Sequence, residues 1–142
     1  MTTSDSDERV RGLNEFGRDK VPGLFGMEMT RADETGTEAR LTVTETLIAG
    51  TGYLFAPVVV GMADIICAFG MGPHLPPGAS FTTVELKTNF LSSAKAGEEV
   101  VAKAWPVHVG RTTIVWDAEV TNATTRRTMA LFRNTQLVIQ PR

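Results

Sequence analysis

One aspartate, Asp64, lies inside the longest apolar stretch of the chain, Ala56–Met71, whose other residues are Ala, Pro, Val, Gly, Met, Ile, Cys and Phe. Even a neutral polar group costs about 2 to 7 kcal/mol when it leaves water without a hydrogen-bond partner. A carboxylate at this place needs a partner, water or a task, so Asp64 is the first candidate for a catalytic residue. The alternative is a structural acid that is satisfied by backbone donors or by an Arg or Lys at a subunit contact.

A second set of polar residues follows on the alternating segment Ser80–Leu91. Side chains two residues apart in a strand share a face, which places Glu85, Lys87 and Asn89 on the same face as Thr83. A strand face of this polarity is either exposed to solvent or lines a site or an interface.

The remaining reactive side chains point to no other chemistry. The single cysteine, Cys67, can form no disulfide within the chain, and its apolar surroundings favour a small buried hydrophobe over a nucleophile. His74 and His108 are far apart and stand in no cluster with the spacing of metal ligands. We therefore predict no metal site and no redox cofactor.

Composition limits the class of protein. The chain has 142 residues, a hydrophobic fraction of 42%, a charged fraction of 21% and a net charge of -2. These values predict one soluble domain over residues 1–142, with residues 1–6 as a flexible tail. No basic stripe is present for binding nucleic acid, and no apolar segment has the length of a membrane span or the form of a signal peptide. We expect a cytoplasmic protein with no nucleic-acid or membrane partner.

The first half of the chain predicts two helices with strands between them. Apolar residues at helical spacing indicate a short amphipathic helix over Asp7–Arg18. Two extended segments follow between residues 27 and 44, the second at Glu38–Thr44, and Glu45–Phe55 is a glycine-containing loop. Pro57 suits the first turn of a long helix over Ala56–Met71, which is apolar on nearly every side and should be buried all round.

The second half changes to a period of two. Its four alternating segments are Ser80–Leu91, Glu98–Val109, Thr112–Asn122 and Thr128–Gln140. The joints between them are short, which predicts antiparallel hairpins in a four-stranded meander. The fold class is therefore α+β, with a twisted antiparallel sheet wrapped around a long central helix.

Several of these segments together resemble a known family. Met62–Asp64 in the helix, Val84–Leu91, Gly97-Glu98 and Val107–Thr113 are similar in order and spacing to the hotdog-fold acyl-CoA thioesterases of the phenylacetate-degradation, or PaaI-like, type. The likeness extends from about Met27 to Val138. It implies a single hotdog domain.

The resemblance also implies roles for particular residues. In that family an acid partway along the central helix activates water or attacks the thioester carbonyl directly, and Asp64 occupies the matching position. A hydroxyl residue on the following strand, which reaches the site from the neighbouring subunit, aligns with Thr83. A backbone N–H at the helix start polarises the thioester oxygen, and Ala56 stands at that place. A helix start can supply this donor whatever its side chains.

The chain departs from the family pattern at the helix start. The family usually carries a His-Gly-Gly motif there and an Asn several residues earlier, whereas this chain has Phe55-Ala56-Pro57 and Ala49. Arg111, in the turn near which the family binds the phosphates of CoA, would offer a bidentate donor, although Gly110-Arg111 can equally be a simple tight hairpin. The residues predicted to bind the substrate are Phe55, Pro57, Glu85, Asn89, Gly110 and Arg111.

Three hypotheses follow. The first is hydrolysis of an acyl-CoA thioester by carboxylate-driven attack of water, with coenzyme A as part of the substrate. The second is a non-catalytic protein that binds thioesters or small ligands, or a structural oligomer. The third, enoyl-CoA hydration or dehydration, needs a histidine where Phe55 stands. An open edge strand predicts a homodimer, and the family often doubles again to a homotetramer, a dimer of dimers.

Overall fold

The computed structural model describes residues 2–142, which begin with two helices, α1 (Thr3–Gly17) and α2 (Val21–Phe25). Thr2 and Asp5 form a reciprocal capping box, in which each side chain accepts a hydrogen bond from the backbone N–H of the other. Because of this cap, α1 begins earlier than the predicted helix Asp7–Arg18. Residues 2–6 of the predicted flexible tail therefore belong to the helix and its cap, and residue 1 lies outside the described part.

Within residues 2–142, six strands form one antiparallel sheet. They are β1 (Glu28–Asp33), β2 (Gly36–Thr42), β3 (Ser80–Phe90), β4 (Glu99–Val109), β5 (Thr113–Asn122) and β6 (Arg127–Ile139). The order across the sheet is β1-β2-β4-β5-β6-β3, so β1 and β3 are its two edges.

The predicted meander is correct for β4, β5 and β6 and wrong for β3. Strand β3 pairs with β6, whereas β4 pairs with β2 on its other side. The segment 91–98 crosses from the edge strand β3 to the interior strand β4. Along it, the Leu54 N–H donates to Ala94 O at 2.8 Å and the Gly97 N–H donates to Val43 O at 2.8 Å. A short joint between two strands does not by itself make a hairpin when a third strand offers a better partner.

The central helix α3 spans Ala56–Phe69 and ends close to the predicted boundary. Its inner side is fully buried at Met62, Ile66 and Cys67. It ends at Gly70, where a Cβ would lie 2.3 Å from the ring of Trp116, so only glycine allows this close approach. The prediction that α3 is buried all round is wrong for one face, which is open around Asp64 because the sheet ends there at β3.

The helices of residues 2–142 were compared with the length and apolarity of a membrane span. Each of α1, α2 and α3 is too short or too polar to cross a membrane.

Candidate active site

Asp64 lies midway along α3, on the open face of the helix, and is half-buried. Its Oδ1 is 3.0 Å from Thr83 Oγ1 and accepts a hydrogen bond of 2.9 Å from Asn134 Nδ2. Within residues 2–142, its Oδ2 has no hydrogen-bond partner and the carboxylate takes part in no ion pair. One oxygen is therefore held by neutral groups, and the other is left unpaired.

An apolar groove opens beside this carboxylate. Its volume is about 480 Å³, and it lies between the open face of α3 and strand β3. The residues that line it are Ala56, Pro57, Val60, Gly61, Asp64, Leu86 and Phe90. Asp64 is the only charged residue among them, so a bound apolar group would lie directly against the carboxylate.

Thr83 reaches Asp64 from within the same chain. The resemblance implied a hydroxyl from the neighbouring subunit, and this prediction is wrong for Thr83. The reason is that β3 runs along the same side of its own α3, and its Thr83 side chain points inward toward the helix. The pair of acid and hydroxyl is thus complete in one protomer.

A β-bulge changes the face of the residues that follow Thr83. Thr83 pairs with Gln136 and Glu85 pairs with Thr135, which leaves Val84 as the extra residue. One inserted residue reverses the facing of every later side chain in a strand. Leu86, Thr88 and Phe90 therefore face the helix, together with Thr83.

The predicted common face of Thr83, Glu85, Lys87 and Asn89 is consequently wrong. Glu85 and Asn89 lie on the outer face of the sheet, where Glu85 accepts a hydrogen bond of 3.4 Å from Thr135 Oγ1. Lys87 and Asn89 line a separate shallow cavity of about 360 Å³ on that outer face. Neither Glu85 nor Asn89 lines the groove beside Asp64, because the bulge is invisible to period-two counting.

The start of α3 supplies a free backbone donor. Pro57 has no N–H, and the Val58 N–H donates to Phe55 O at 2.9 Å. The Ala56 N–H has no hydrogen-bond partner among residues 2–142. Since the first N–H groups of a helix also lie at the positive end of its dipole, Ala56 can polarise an oxygen in the groove that it lines.

Phe55 and Ala49 occupy the positions where the family carries its histidine and asparagine. Both line a second cavity of about 440 Å³, which also includes Phe25 and Val58. Phe55 is half exposed and caps α3 without any side-chain hydrogen bond. Of the predicted substrate-binding residues, Pro57 lines the groove with Asp64, whereas Phe55 lies at this neighbouring cavity.

Gly110 and Arg111 form the tight turn between β4 and β5. The Gly110 N–H donates to Thr113 O at 2.9 Å, and a Cβ on Gly110 would lie 2.8 Å from His108 Nε2. The hairpin interpretation is therefore confirmed. Neither residue lines the groove beside Asp64, and contact of Arg111 with a phosphate stays a prediction.

Two residues of this site were missed by sequence reasoning. Asn134 and Gln136 lie on the inner face of β6 and are fully buried, between the buried Phe132 and Val138. Polar residues at the inward positions of an otherwise apolar strand give the same signal that identified Asp64 in its helix. That signal was available in the alternating pattern of β6.

Cys67 lies one turn beyond Asp64 and is buried. Burial raises the pKa of its thiol well above the ordinary value, and the nearby charge of Asp64 adds to the increase. The thiol stays protonated at neutral pH, which agrees with the predicted role of a small buried hydrophobe. Among residues 2–142, no three His, Cys, Asp or Glu side chains lie close enough to hold a metal ion.

Comparison with known proteins identifies the family. A sequence model described as the thioesterase superfamily matches residues 51–129, which is more than half of the chain. The 1,4-dihydroxy-2-naphthoyl-CoA hydrolase of Listeria monocytogenes is 30% identical over 100 residues, which cover 70% of this chain and 80% of that protein. The chain belongs to the thioesterase superfamily.

Solved structures identify the fold. A thioesterase from Haemophilus influenzae superposes with a TM-score of 0.84 at 24% identity, covering 92% of this chain and 90% of that one. The PaaI protein of the E. coli phenylacetic acid degradation operon superposes with a TM-score of 0.82 at 23% identity, covering 96% of each chain. The predicted hotdog fold, an α+β sheet around a central helix, is confirmed by these structures, and membership of a thioesterase family is confirmed by the sequence model.

Proposed function

We propose that this protein hydrolyses an acyl-CoA thioester and that Asp64 drives the attack of water on the carbonyl carbon. One observation carries the proposal: the half-buried carboxylate of Asp64 lies beside an apolar groove, with one oxygen bound by neutral groups and the other without a partner among residues 2–142. A structural acid would be expected to have a cation or donors on both oxygens.

The reaction is balanced by one water molecule. Asp64 accepts a proton from water while the water oxygen attacks the thioester carbonyl, and a tetrahedral oxyanion forms. When that intermediate collapses, the carbon–sulfur bond breaks and the sulfur of CoA leaves. The proton held by Asp64 returns to the leaving sulfur, and the products are a carboxylic acid and free CoA thiol.

The groove favours an apolar or aromatic acyl group. Val60, Leu86 and Phe90 provide apolar contact, and the lining contributed by residues 2–142 holds no basic side chain to pair with a charged acyl group. The Listeria relative, which is named for a naphthoyl-CoA substrate, supports an aromatic acyl group as the first one to test.

The oxyanion donor is best supplied by a second copy of the chain. Ala56 and Asp64 are separated by a little over two turns of α3, which is about 12 Å of helix rise. The reacting carbonyl carbon must lie within about 3.5 Å of the nucleophile, and its oxygen about 3 Å from the donor. With the attacking water between Asp64 and the carbonyl carbon, one protomer could span this distance only if all the atoms lay nearly in a straight line, whereas a nucleophile approaches a carbonyl carbon at an angle to its C–O bond. One protomer therefore fits both conditions poorly. We therefore propose a homodimer in which Asp64 of one protomer works with the Ala56 N–H of its partner.

The sheet offers a natural surface for that dimer. β3 is an edge strand with unpaired backbone groups along one side. Next to that edge, the apolar side chains of Val84, Leu86, Phe90 and Leu91 are between 42% and 59% exposed. Pairing of β3 with β3 of a second protomer would continue the sheet across a two-fold axis and bring the start of that protomer's α3 to the groove. The homotetramer, the cytoplasmic location and the absence of a cofactor stay predictions.

A thiol-release assay tests the reaction. Wild-type protein is incubated with short, medium, long and aromatic acyl-CoA esters, and free CoA thiol is followed with a chromogenic disulfide. We expect thiol release, with the highest kcat/KM for an apolar or aromatic acyl group.

A second candidate function is a non-catalytic thioester-binding protein. The observation in its favour is that Phe55 and Ala56 replace the family's His-Gly-Gly motif at the start of α3. Calorimetric binding of the same esters without thiol release would establish that alternative.

A subunit-complementation assay tests the shared site. Ala56→Pro removes the N–H donor, and proline suits the first position of a helix whose preceding residue, Phe55, is already extended. Asp64→Asn removes the base. Each variant alone should be inactive, and equal mixing with subunit exchange should restore about one quarter of wild-type activity, because half of the dimers then hold one intact site of two. No recovery after demonstrated exchange would mean that the site lies within one chain.

A further inference from the structure

Asn134 and Gln136 are buried amides in a place where the strand otherwise buries apolar side chains. Both are 0% exposed. Asn134 Nδ2 donates to Asp64 Oδ1 at 2.9 Å, and the Gln136 amide lies 3.1 Å from Thr83 Oγ1. Asn134 Oδ1 and one Gln136 amide atom have no partner within residues 2–142. Burying amides that are only half satisfied costs stability, so stability alone does not account for them.

The number of hydrogens available determines which atom donates in each of these contacts. The Thr83 hydroxyl has one hydrogen, and an ionised Asp64 can only accept hydrogen bonds. Thr83 Oγ1 lies 3.0 Å from Asp64 Oδ1 and 3.1 Å from the Gln136 side-chain amide. The structure places Gln136 Oε1 at that distance. Because the one hydrogen goes to Asp64, the Gln136 amide has to be turned so that its nitrogen donates to Thr83. The two ends of an amide are assigned from such networks, so this orientation is the consistent one.

We propose that Asn134 and Gln136 are positioning residues for the catalytic carboxylate. The inference rests on the function proposed above. Gln136 orients the Thr83 hydroxyl, and Thr83 and Asn134 together fix Oδ1 of Asp64. The carboxylate then cannot rotate freely about its Cβ–Cγ bond, and Oδ2 stays directed to the groove, where it takes the proton from water.

The side chains that face Asp64 from the neighbouring elements of residues 2–142 are uncharged, so an ion pair does not explain the position of its carboxylate. From β3 and β6 the facing side chains are the uncharged Thr83, Asn134 and Gln136. From α3 the neighbouring titratable group is Cys67, and burial raises the pKa of its thiol so that it stays neutral. The hydrogen bonds that hold the carboxylate in place therefore come, within residues 2–142, from neutral donors.

The experiment compares Asn134→Leu with Asn122→Leu. Asn122 is also a fully buried sheet asparagine, but its amide nitrogen donates to Glu98 Oε2 at 2.7 Å and its oxygen accepts from two backbone N–H groups, far from Asp64. We expect Asn134→Leu to lower kcat about 10-fold or more with little change in KM, and to move the acidic limb of the kcat/KM profile to higher pH. Asn122→Leu should lower Tm and leave that limb unchanged.

A second variant, Gln136→Met, tests the same role in case Asn134→Leu does not fold. Gln136→Met is close in shape to glutamine and removes the donor to Thr83, so we expect a smaller fall in kcat in the same direction, with Tm retained. If both site variants keep the wild-type kcat and the wild-type acidic limb, the positioning role is overturned while hydrolysis itself stands. If the wild-type protein releases no thiol, the proposed function fails and this inference fails with it.

Discussion

Two aspartates on opposite faces of the sheet have opposite environments. Asp117, on the outer face of β5, forms a bidentate pair with Arg133, in which Oδ1 is 2.5 Å from Nε and Oδ2 is 2.8 Å from Nη2. Asp64, on the inner side, has neutral groups on one oxygen and nothing on the other among residues 2–142. A carboxylate whose two oxygens are both paired has no oxygen left for a substrate. The comparison separates a structural acid from a reactive one by its partners.

The two environments come from adjacent residues of one strand. Arg133 and Asn134 follow each other in β6, so their side chains point to opposite faces. Arg133 lies directly across from Asp117, where it pairs with the acid, and this pairing raises the pKa of its guanidinium. Asn134 faces the helix and carries no charge. A basic residue at the inward position would have turned the site of Asp64 into a second ion pair.

The sharpest test exchanges each acid for its amide. Asp64→Asn removes the base without changing its shape, and we expect kcat to fall about 10²- to 10⁴-fold. Asp117→Asn should lower Tm slightly, because exposed ion pairs contribute little, and leave kcat within a factor of about two. Thiol release and thermal unfolding measured on both variants give the four values needed. Equal losses of kcat would remove the distinction between the two acids.

The two neighbouring threonines of β3 extend the comparison to the hydroxyls. Thr83→Val removes the hydroxyl beside Asp64 and should lower kcat about 10-fold, whereas Thr83→Ser retains the hydroxyl and should restore most of it. Thr82 is exposed and points to the other face, so Thr82→Val is the matched control. A comparable loss in the control would indicate a general disturbance of the strand instead of a local contact.

The sequence was sufficient for the family and for the pair at the centre of the site. Asp64 stood out because a charge in an apolar helix needs an explanation, and Thr83 followed from the resemblance. The facing of Glu85 and Asn89 could not be read, since the bulge at Val84 depends on how β3 meets β6 and leaves no mark in the alternation. The pairing of β3 with β6 is likewise a tertiary choice, because period-two segments show that strands exist and not which ones are neighbours.

The smallest expected effect tests that bulge through substrate binding. With Val84 extruded, Leu86 lines the groove and Asn89 faces outward. Leu86→Ala should therefore raise KM severalfold for an apolar acyl-CoA, because about 1 kcal/mol or more of apolar contact is lost, while kcat changes little. Asn89→Ala should leave both constants unchanged. A β3 strand without the bulge would direct Asn89 to the site and Leu86 to solvent. In that case Asn89→Ala would raise KM and Leu86→Ala would not. Steady-state kinetics on the two variants thus decides which face of β3 contacts the substrate.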